Sequence, residues 1–409
     1  MNEQTLKNYA KLLVHVGGNV QKGQIVVINC DIKDYLFARM VEECAYDAGA
    51  SRVSIDWADE ISNHMYYKRA SDEFFGNIPQ WSIDRTKYRD DLGAVYLRIS
   101  SPSPGLFSDI DQKRIQRSSK GSATAYKAHY DLLVSGALQQ SVCAIPSPAW
   151  AKMVYPNLPE NEAMDKLWAQ VIKGARAGGQ DPIADWASHK QNFASQLNYL
   201  NQQQFTHLRI TTGLGTDLTI GLVKNHIWTC AGDTAQNGVE YFFNIPTEEI
   251  FTMPDAGQAE GRVVASMPLQ IYGKVVEGFE FTFKNGEVVS YKADKNQDAL
   301  AGVLDDYEGM RRLGEVALVA NSSPIAQMQT LFYNVLFDEN ASSHLALGKP
   351  YLKTIKDGTK LTQQELTALG VNNSTMHMDF MFGTPDMCVV GIKEDGSEIP
   401  FFEQGEFSY

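Results

Sequence analysis

The chain has 409 residues, of which 44% are hydrophobic and 21% are charged, so it can form two or three domains with sizeable cores. Its 36 basic and 49 acidic residues leave a net charge of −13. A surface this acidic argues against nucleic acid or an anionic membrane as the main partner, because both bind through basic surfaces.

The N-terminus and the cysteines indicate the compartment. The first 18 residues predict a short amphipathic helix without a cleavage signal, and no apolar run reaches the ~20 residues of a membrane span. The cysteines are odd in number, scattered and free of C-x-x-C pairs, so we expect free thiols and neither disulfides nor zinc ligands. They are Cys30, Cys44, Cys143, Cys230 and Cys388. We therefore expect a cytoplasmic protein.

The first half of the chain alternates strands and helices. QIVVINC at 24–30 predicts a buried strand, the residues up to Gly49 predict a helix, and RVSIDW at 52–57 predicts the next strand. This β-α-β unit implies a parallel sheet. Further strands are expected at 94–100 and 141–147, and helices at 108–134, 161–179 and 182–203.

After residue 202 the pattern changes to short alternating strands. QFTHLRITT, TDLTIGLV and HIWTCAGD predict three of them, and Asn285-Gly286 predicts a hairpin turn within 278–293. Helices are expected at 296–313 and 323–338, and a closing strand pair at 388–405. The fold class expected is an α/β N-terminal domain (1–200) with a parallel or mixed sheet, followed by an α+β, mainly antiparallel C-terminal domain (201–409).

Several common functional motifs are missing from the sequence. It has no H-E-x-x-H, no G-x-x-x-x-G-K-[ST] and no G-x-S-x-G. GLGTDL at 213–218 lacks the third glycine of a dinucleotide fingerprint and lies between two expected strands, so it predicts a hairpin turn. QIVVINC is followed by DIKDYL and not by a glycine-rich loop, which disfavours a nucleotide-binding protein.

Two of the eight histidines stand near acidic residues in a promising pattern. His377 and Asp379 are two positions apart and would share one face of a strand. His344 lies in a segment rich in polar residues, 336–353. The others stand alone and indicate surface or core positions. These are His15, His64, His129, His189, His207 and His226.

Two glutamates complete a hypothesis of a dinuclear metal site. Glu249, next to Glu248, lies between two prolines in NIPTEEIFTMP, and Glu315 opens the apolar strand EVALV. A carboxylate in an apolar strand is costly unless it is paired or bound to metal. Three carboxylates (Glu249, Glu315, Asp379), two neutral histidines and one bridging hydroxide would balance two divalent cations, for which zinc, cobalt or manganese is suited.

Four segments carry a family resemblance. NIPTEEIFTMP (244–254), RRLGEVALVANSSPIAQ (311–327), LFDENASSHLALGKPY (336–351) and STMHMDF (374–380) resemble the aminopeptidase T / aminopeptidase S family of two-metal metallopeptidases. The resemblance covers most of the chain and is densest from 205 to 409. It implies metal ligands at positions that match the hypothesis above. These are Glu249, Glu315, His344, His377 and Asp379.

The resemblance also implies activity, mechanism and assembly. It implies release of N-terminal residues from peptides with broad preference, by a metal-bound hydroxide, and a homodimer that encloses its active sites in a cavity. Tyr351 matches the family's tyrosine near the metals and would donate a hydrogen bond to the oxyanion. Glu315 or Glu339 would carry the proton to the leaving amine. Glu339 would otherwise bind the second metal or support its ligands. Asp338 and Asn340 are treated as structural.

Two alternatives remain open from the sequence. One is a dinuclear hydrolase of other small amides or acylated amino acids, which the same metal pair would serve. The other is a non-catalytic peptide-binding protein in which the metal is structural. Loss of activity when the substrate's amine is acetylated separates an aminopeptidase from the first, and metal-dependent folding without activity would indicate the second.

Overall fold

The computed structural model describes residues 1–271 and 274–409, which form two compact units. The first unit comprises Met1–Ser188 and Ala231–Pro246, and the second comprises His189–Cys230 and Thr247–Tyr409. The segment 231–246 thus belongs with the N-terminal unit although it lies beyond residue 200. Within the described residues, no helix is long and apolar enough to cross a membrane.

The helices and strands follow in chain order. Up to residue 246 they are α1 Glu3–Leu12, β1 Ile25–Asp31, α2 Tyr35–Asp47, β2 Arg52–Ala58, α3 Glu60–Arg69, α4 Gln80–Asp91, β3 Val95–Ser100, α5 Gln112–Ala125, α6 Lys127–Val134, β4 Gln140–Ala144, α7 Pro148–Val154, α8 Glu160–Gly174, α9 Pro182–Gln203, β5 His207–Thr211, β6 Asp217–Leu222, β7 Gly232–Thr234, β8 Glu240–Phe242 and β9 Asn244–Ile245. Beyond it they are β10 Glu249–Thr252, β11 Pro254–Val264, β12 Leu269–Ile271, β13 Lys274–Val276, β14 Glu280–Lys284, β15 Glu287–Lys292, α10 Gln297–Asp306, β16 Leu313–Val319, α11 Val335–Asp338, β17 His344–Gly348, α12 Gln363–Ala368, β18 His377–Met381, β19 Cys388–Ile392, β20 Glu398–Glu403 and β21 Glu406–Phe407. A π-helical turn, Leu13–Gly17, follows α1.

The first unit contains a five-stranded parallel sheet in the order β2-β1-β3-β4-β9, which confirms the predicted α/β class. On one face, apolar side chains of the central strand β3 are buried, and the segment after α1 lies directly against them. A Cβ at Gly18 would come within 2.6 Å of a Leu97 methyl carbon, so glycine permits this close approach. Strand β9 pairs with β4, and these hydrogen bonds bring segment 231–246 back to this unit.

The second unit is mainly antiparallel, as predicted. An eight-stranded sheet runs in the order β15-β14-β11-β6-β5-β19-β20-β21, and a four-stranded sheet runs β10-β16-β17-β18. Phe380 of β18 packs against Phe281 of β14, with ring centroids 5.1 Å apart, and against Phe279. One face of the four-stranded sheet is therefore part of the apolar core, and polar side chains can occupy its other face.

Three local predictions for the second half are wrong in detail. The helix expected at 323–338 is limited to a 3-10 turn and the short α11, because Gln329 and Tyr333 adopt left-handed backbone conformations and Asp338 accepts the amides of Phe332 and Asn334. The helix expected at 296–313 ends at Asp306. HIWTCAGD forms only isolated bridges before β7, since the Trp228 amide donates to the Asn201 side chain.

The predicted turns are confirmed. Asn285 and Gly286, both with positive φ, connect β14 to β15, as a hairpin turn with two left-handed residues requires. GLGTDL lies at the connection between β5 and β6 and continues into β6, so it is a hairpin turn and not a phosphate loop.

Candidate metal centre

The strand register of the four-stranded sheet brings the predicted ligands to one face. Glu315 of β16 and Asp379 of β18 both pair with Ala346 of β17, so their side chains flank a methyl group. His344 pairs with Ala317 one row further along. The small alanine side chains leave room for the longer carboxylates and imidazoles above them. The ligands share this face because side chains alternate along each strand, so the apolar residues point to the opposite, buried face.

The predicted ligands form two overlapping groups. Glu249, Glu315 and His344 are all buried, and each offers a ligand atom within 4.8 Å of the others. Glu315, His377 and Asp379 form the second group by the same measure. Glu315 belongs to both groups, as a bridging carboxylate would.

The separations between the side chains support this grouping. His344 Nε2 lies 3.2 Å from Glu249 Oε2 and 3.8 Å from Glu315 Oε1. His377 Nε2 lies 2.9 Å from Asp379 Oδ1 and 3.7 Å from Glu315 Oε2. Each histidine thus faces a different oxygen of the same glutamate.

Both histidines are oriented by backbone carbonyls. Nδ1 of His344 donates to the Ser342 carbonyl at 3.2 Å, and Nδ1 of His377 donates to the Lys349 carbonyl at 2.6 Å. Since a carbonyl only accepts, the proton is on Nδ1 and Nε2 is the nitrogen that faces the carboxylates. Metal-binding histidines are commonly held in this way.

The buried charges of this face fit divalent cations. Glu315 is 3% exposed, and its Oε2 has no hydrogen-bond partner among residues 1–271 and 274–409. Burial raises the pKa of Glu315. Burial opposes charge on the two histidines, yet the adjacent carboxylates raise the pKa of His344 well above its ordinary value and that of His377 to about 10. Without metal, the carboxylates therefore favour protons on the imidazoles, at the positions where cations would lie.

Tyr351 and Glu339 are also brought to the site. Tyr351 is 46% exposed, and its ring centroid lies 5.1 Å from that of His377 and 5.8 Å from that of Phe251. Partial burial, followed by Glu315 and Asp379, raises the pKa of its phenol, so it remains a donor. Glu339 follows α11, and burial, then Glu249 and Asp379, raise the pKa of its carboxyl.

Two residues that the sequence analysis treated as structural or isolated support the site. Asn340 is fully buried, and its side chain accepts from the Glu248 amide at 2.6 Å and donates to the Leu336 carbonyl at 2.9 Å. It therefore connects the residue before Glu249 to α11, the helix before Glu339. His189 contacts the Thr247 carbonyl at 2.9 Å in the same loop. Only the position of Asn340 inside the 336–351 segment hinted at this role.

Comparisons with known proteins place the chain in a family. The family model described as thermophilic metalloprotease (M29) matches residues 2–407. The chain is 38% identical to Aminopeptidase 2 of Geobacillus stearothermophilus, covering 100% of this chain and 98% of the relative, and 39% identical to Aminopeptidase AmpS of Bacillus subtilis (strain 168), covering 99% of each. The solved structure of wild-type AmpT from Thermus thermophilus superposes with a TM-score of 0.93 at 33% identity over the full length of both chains. The resemblance noted from the sequence is confirmed, and this chain belongs to the M29 family of metalloproteases.

Proposed function

We propose that the protein is a metal-dependent aminopeptidase that releases N-terminal residues from peptides with broad specificity. The observation that carries the proposal is the position of Glu315, whose two oxygens face the two histidines on one sheet face. The names of the relatives, aminopeptidases of similar length, support the choice of substrate. A half-exposed tyrosine beside this cluster leaves an approach for a peptide.

We propose two divalent cations per chain. Glu249, Glu315 and His344 would hold one, and Glu315, His377 and Asp379 would hold the other. The mixture of carboxylate oxygens and imidazole nitrogens suits zinc, cobalt or manganese. When bound, such cations polarise a carbonyl and lower the pKa of water, which makes a serine or cysteine nucleophile unnecessary.

The protein's own residues would supply proton transfer and oxyanion stabilisation. Tyr351 would donate its hydroxyl proton in a hydrogen bond to the substrate carbonyl oxygen as negative charge develops there. Between the two candidates for the proton carrier, Glu339 is favoured, because both oxygens of Glu315 face histidines. Glu339 would take a proton from the attacking water and deliver it to the leaving amine.

Chelation and substrate blocking test the proposal. Dialysis against a chelator should abolish hydrolysis of an amino-acid p-nitroanilide, and zinc, cobalt or manganese should restore it. Acetylation of the substrate's amine should prevent hydrolysis, whereas equal hydrolysis of both substrates would indicate the small-amide hydrolase. Full activity of metal-free protein would contradict the proposal.

A matched pair of variants tests the proton carrier. Glu339→Gln should reduce kcat by about 10²–10⁴-fold with normal metal content. Glu394→Gln makes the same substitution at an exposed glutamate distant from Glu339 in the sequence, and it should leave kcat unchanged. Equal kcat values in both variants would instead indicate Glu315 as the proton carrier.

We further propose a cytoplasmic homodimer. The five free cysteines suit a reducing compartment, and the dimer follows from the family resemblance. Sedimentation should give about twice the chain mass of 45.5 kDa, and cell fractionation should recover the activity with the cytoplasm. A fully active monomer at the assay concentration would exclude the dimer as the functional form.

A further inference from the structure

The parallel sheet of the first unit has an exposed arginine on its central strand. Arg98 lies in the middle of β3, between Leu97 and Ile99, which face the other side and are buried. Central strands of parallel sheets are normally covered on both faces and are apolar throughout. An exposed cation at this position therefore needs an explanation.

Arg98 projects into a cavity on that face of the sheet. The cavity has a volume of ≈ 600 Å³ and is bounded by strand residues and by helices α4 and α6. Its charged and polar lining residues include Asn29, Asp56, Arg85, Arg89 and Arg98. A volume of this size accommodates a small organic ligand.

The acidic groups around the cavity already have partners. Both Nη atoms of Arg89 bond to Asp56, at 2.6 and 3.0 Å, and Arg85 contacts the same carboxylate at 3.2 Å. Asp90 accepts from the Tyr96 hydroxyl at 2.6 Å and contacts His129 Nδ1 at 2.9 Å. These carboxylates do not need Arg98, and three arginine charges face the single charge of Asp56 in the lining.

Arg98 differs in this respect from the other two arginines of the lining. Among the residues that the structure describes, its guanidinium has no hydrogen-bond or ion-pair partner. The strand register places Asn29 of β1 directly beside it, and the Asn29 amide likewise has no partner in the described chain. A guanidinium and an amide thus stand side by side with free donors in a cavity that has excess positive charge.

We propose that this cavity binds a small oxyanion, a carboxylate or a phosphate group, held by Arg98 and Asn29. The planar guanidinium matches the two oxygens of such a group, and the Asn29 amide supplies a further donor. The positive lining concentrates anions in a protein that is otherwise acidic. The site shares no residue with the metal centre and does not depend on the proposed peptidase activity.

Two variants of the full-length, metal-loaded protein test this site. Arg98→Gln removes the cation, and Asn29→Asp keeps the shape but places a carboxylate beside Arg98 that competes with the ligand. Arg52→Gln is the matched control, since it removes the same charge from an exposed position of the same sheet outside the cavity. Isothermal titration calorimetry with inorganic phosphate and with succinate measures binding, and thermal unfolding checks the fold of each variant.

Saturable binding of one probe by the wild type and by Arg52→Gln is expected, with Kd raised at least about tenfold in Arg98→Gln and in Asn29→Asp. The probe that binds more tightly identifies the oxyanion as phosphate or carboxylate. Asn29→Asp should unfold at the same temperature as the wild type or higher, because its new carboxylate pairs with Arg98. Absence of saturable binding by either probe, or equal binding by all variants, as an anion at the metals would give, overturns the proposal.

Discussion

Loading metal into the metal-free protein should release protons. The pKa of His377 is raised to about 10 by its carboxylate neighbours, which overcome its burial, and that of His344 is raised well above its ordinary value. The imidazole of His377 is therefore charged at pH 7.5 in the absence of metal, and the carboxylates likewise favour the charged form of His344. A histidine must be neutral at Nε2 to bind a cation, so each must lose its proton.

The size of the release follows from these two groups. At pH 7.5 a group with a pKa of about 10 is more than about 99% protonated, so His377 contributes close to one proton. The raised pKa of His344 favours a further contribution from that imidazole. Burial also raises the pKa of Glu315 and of Glu339, and any proton on them adds to the total. We therefore expect at least about one proton per chain, with His344 and the two glutamates adding to that number.

Calorimetric titration of zinc in two buffers with different ionisation enthalpies measures this number. His377→Gln should release about one proton fewer. His15→Gln is the matched control, because burial lowers the pKa of His15 and leaves it neutral at this pH, so the release should not change. A release below one proton per chain, or an unchanged release in His377→Gln, would refute the assignment of these histidines as ligands.

Three further predictions test the candidate metal centre and its surroundings. Tyr351→Phe should lower kcat by about 10²–10³-fold with normal metal content, KM and thermal stability, since a half-exposed ring keeps its packing; a kcat within about threefold of wild type would assign Tyr351 to packing alone. Ala346→Leu should weaken metal binding at least about tenfold without removing a ligand, because the larger side chain separates Glu315 from Asp379; an unchanged affinity by metal analysis would contradict the register. The raised pKa of His377 stabilises the metal-free protein fully below pH 6.5, and this contribution is lost as the pH rises towards about 10. The melting temperature of the metal-free protein should therefore fall over that pH range, and it should fall less in His377→Gln. An equal fall of the melting temperature in both proteins would contradict this assignment.

The amino-acid sequence alone determined much of the local structure and the choice of candidate ligands. Apolar runs and alternating patterns located β1 to β6, β14 to β16, β19 and β20 but not β10, β11 or β17, and Asn285-Gly286 located a hairpin. The period of two along a strand was enough to place His377 and Asp379 on one face. These features depend on residues near one another in the chain, so local chemistry suffices to predict them.

Relations between distant segments were decided only by the tertiary structure. Glu315 and Asp379 meet because both strands pair with β17 at Ala346, and no local pattern encodes that register. The same holds for Asn340, whose bond to the Glu248 amide joins two segments far apart in the sequence. It also holds for Arg98, whose lack of a partner among the described residues depends on which side chains pack above the sheet. Periodicity states which face of a strand a residue occupies, whereas the packing of apolar faces and the hydrogen bonding between distant strands decide which residues share that face.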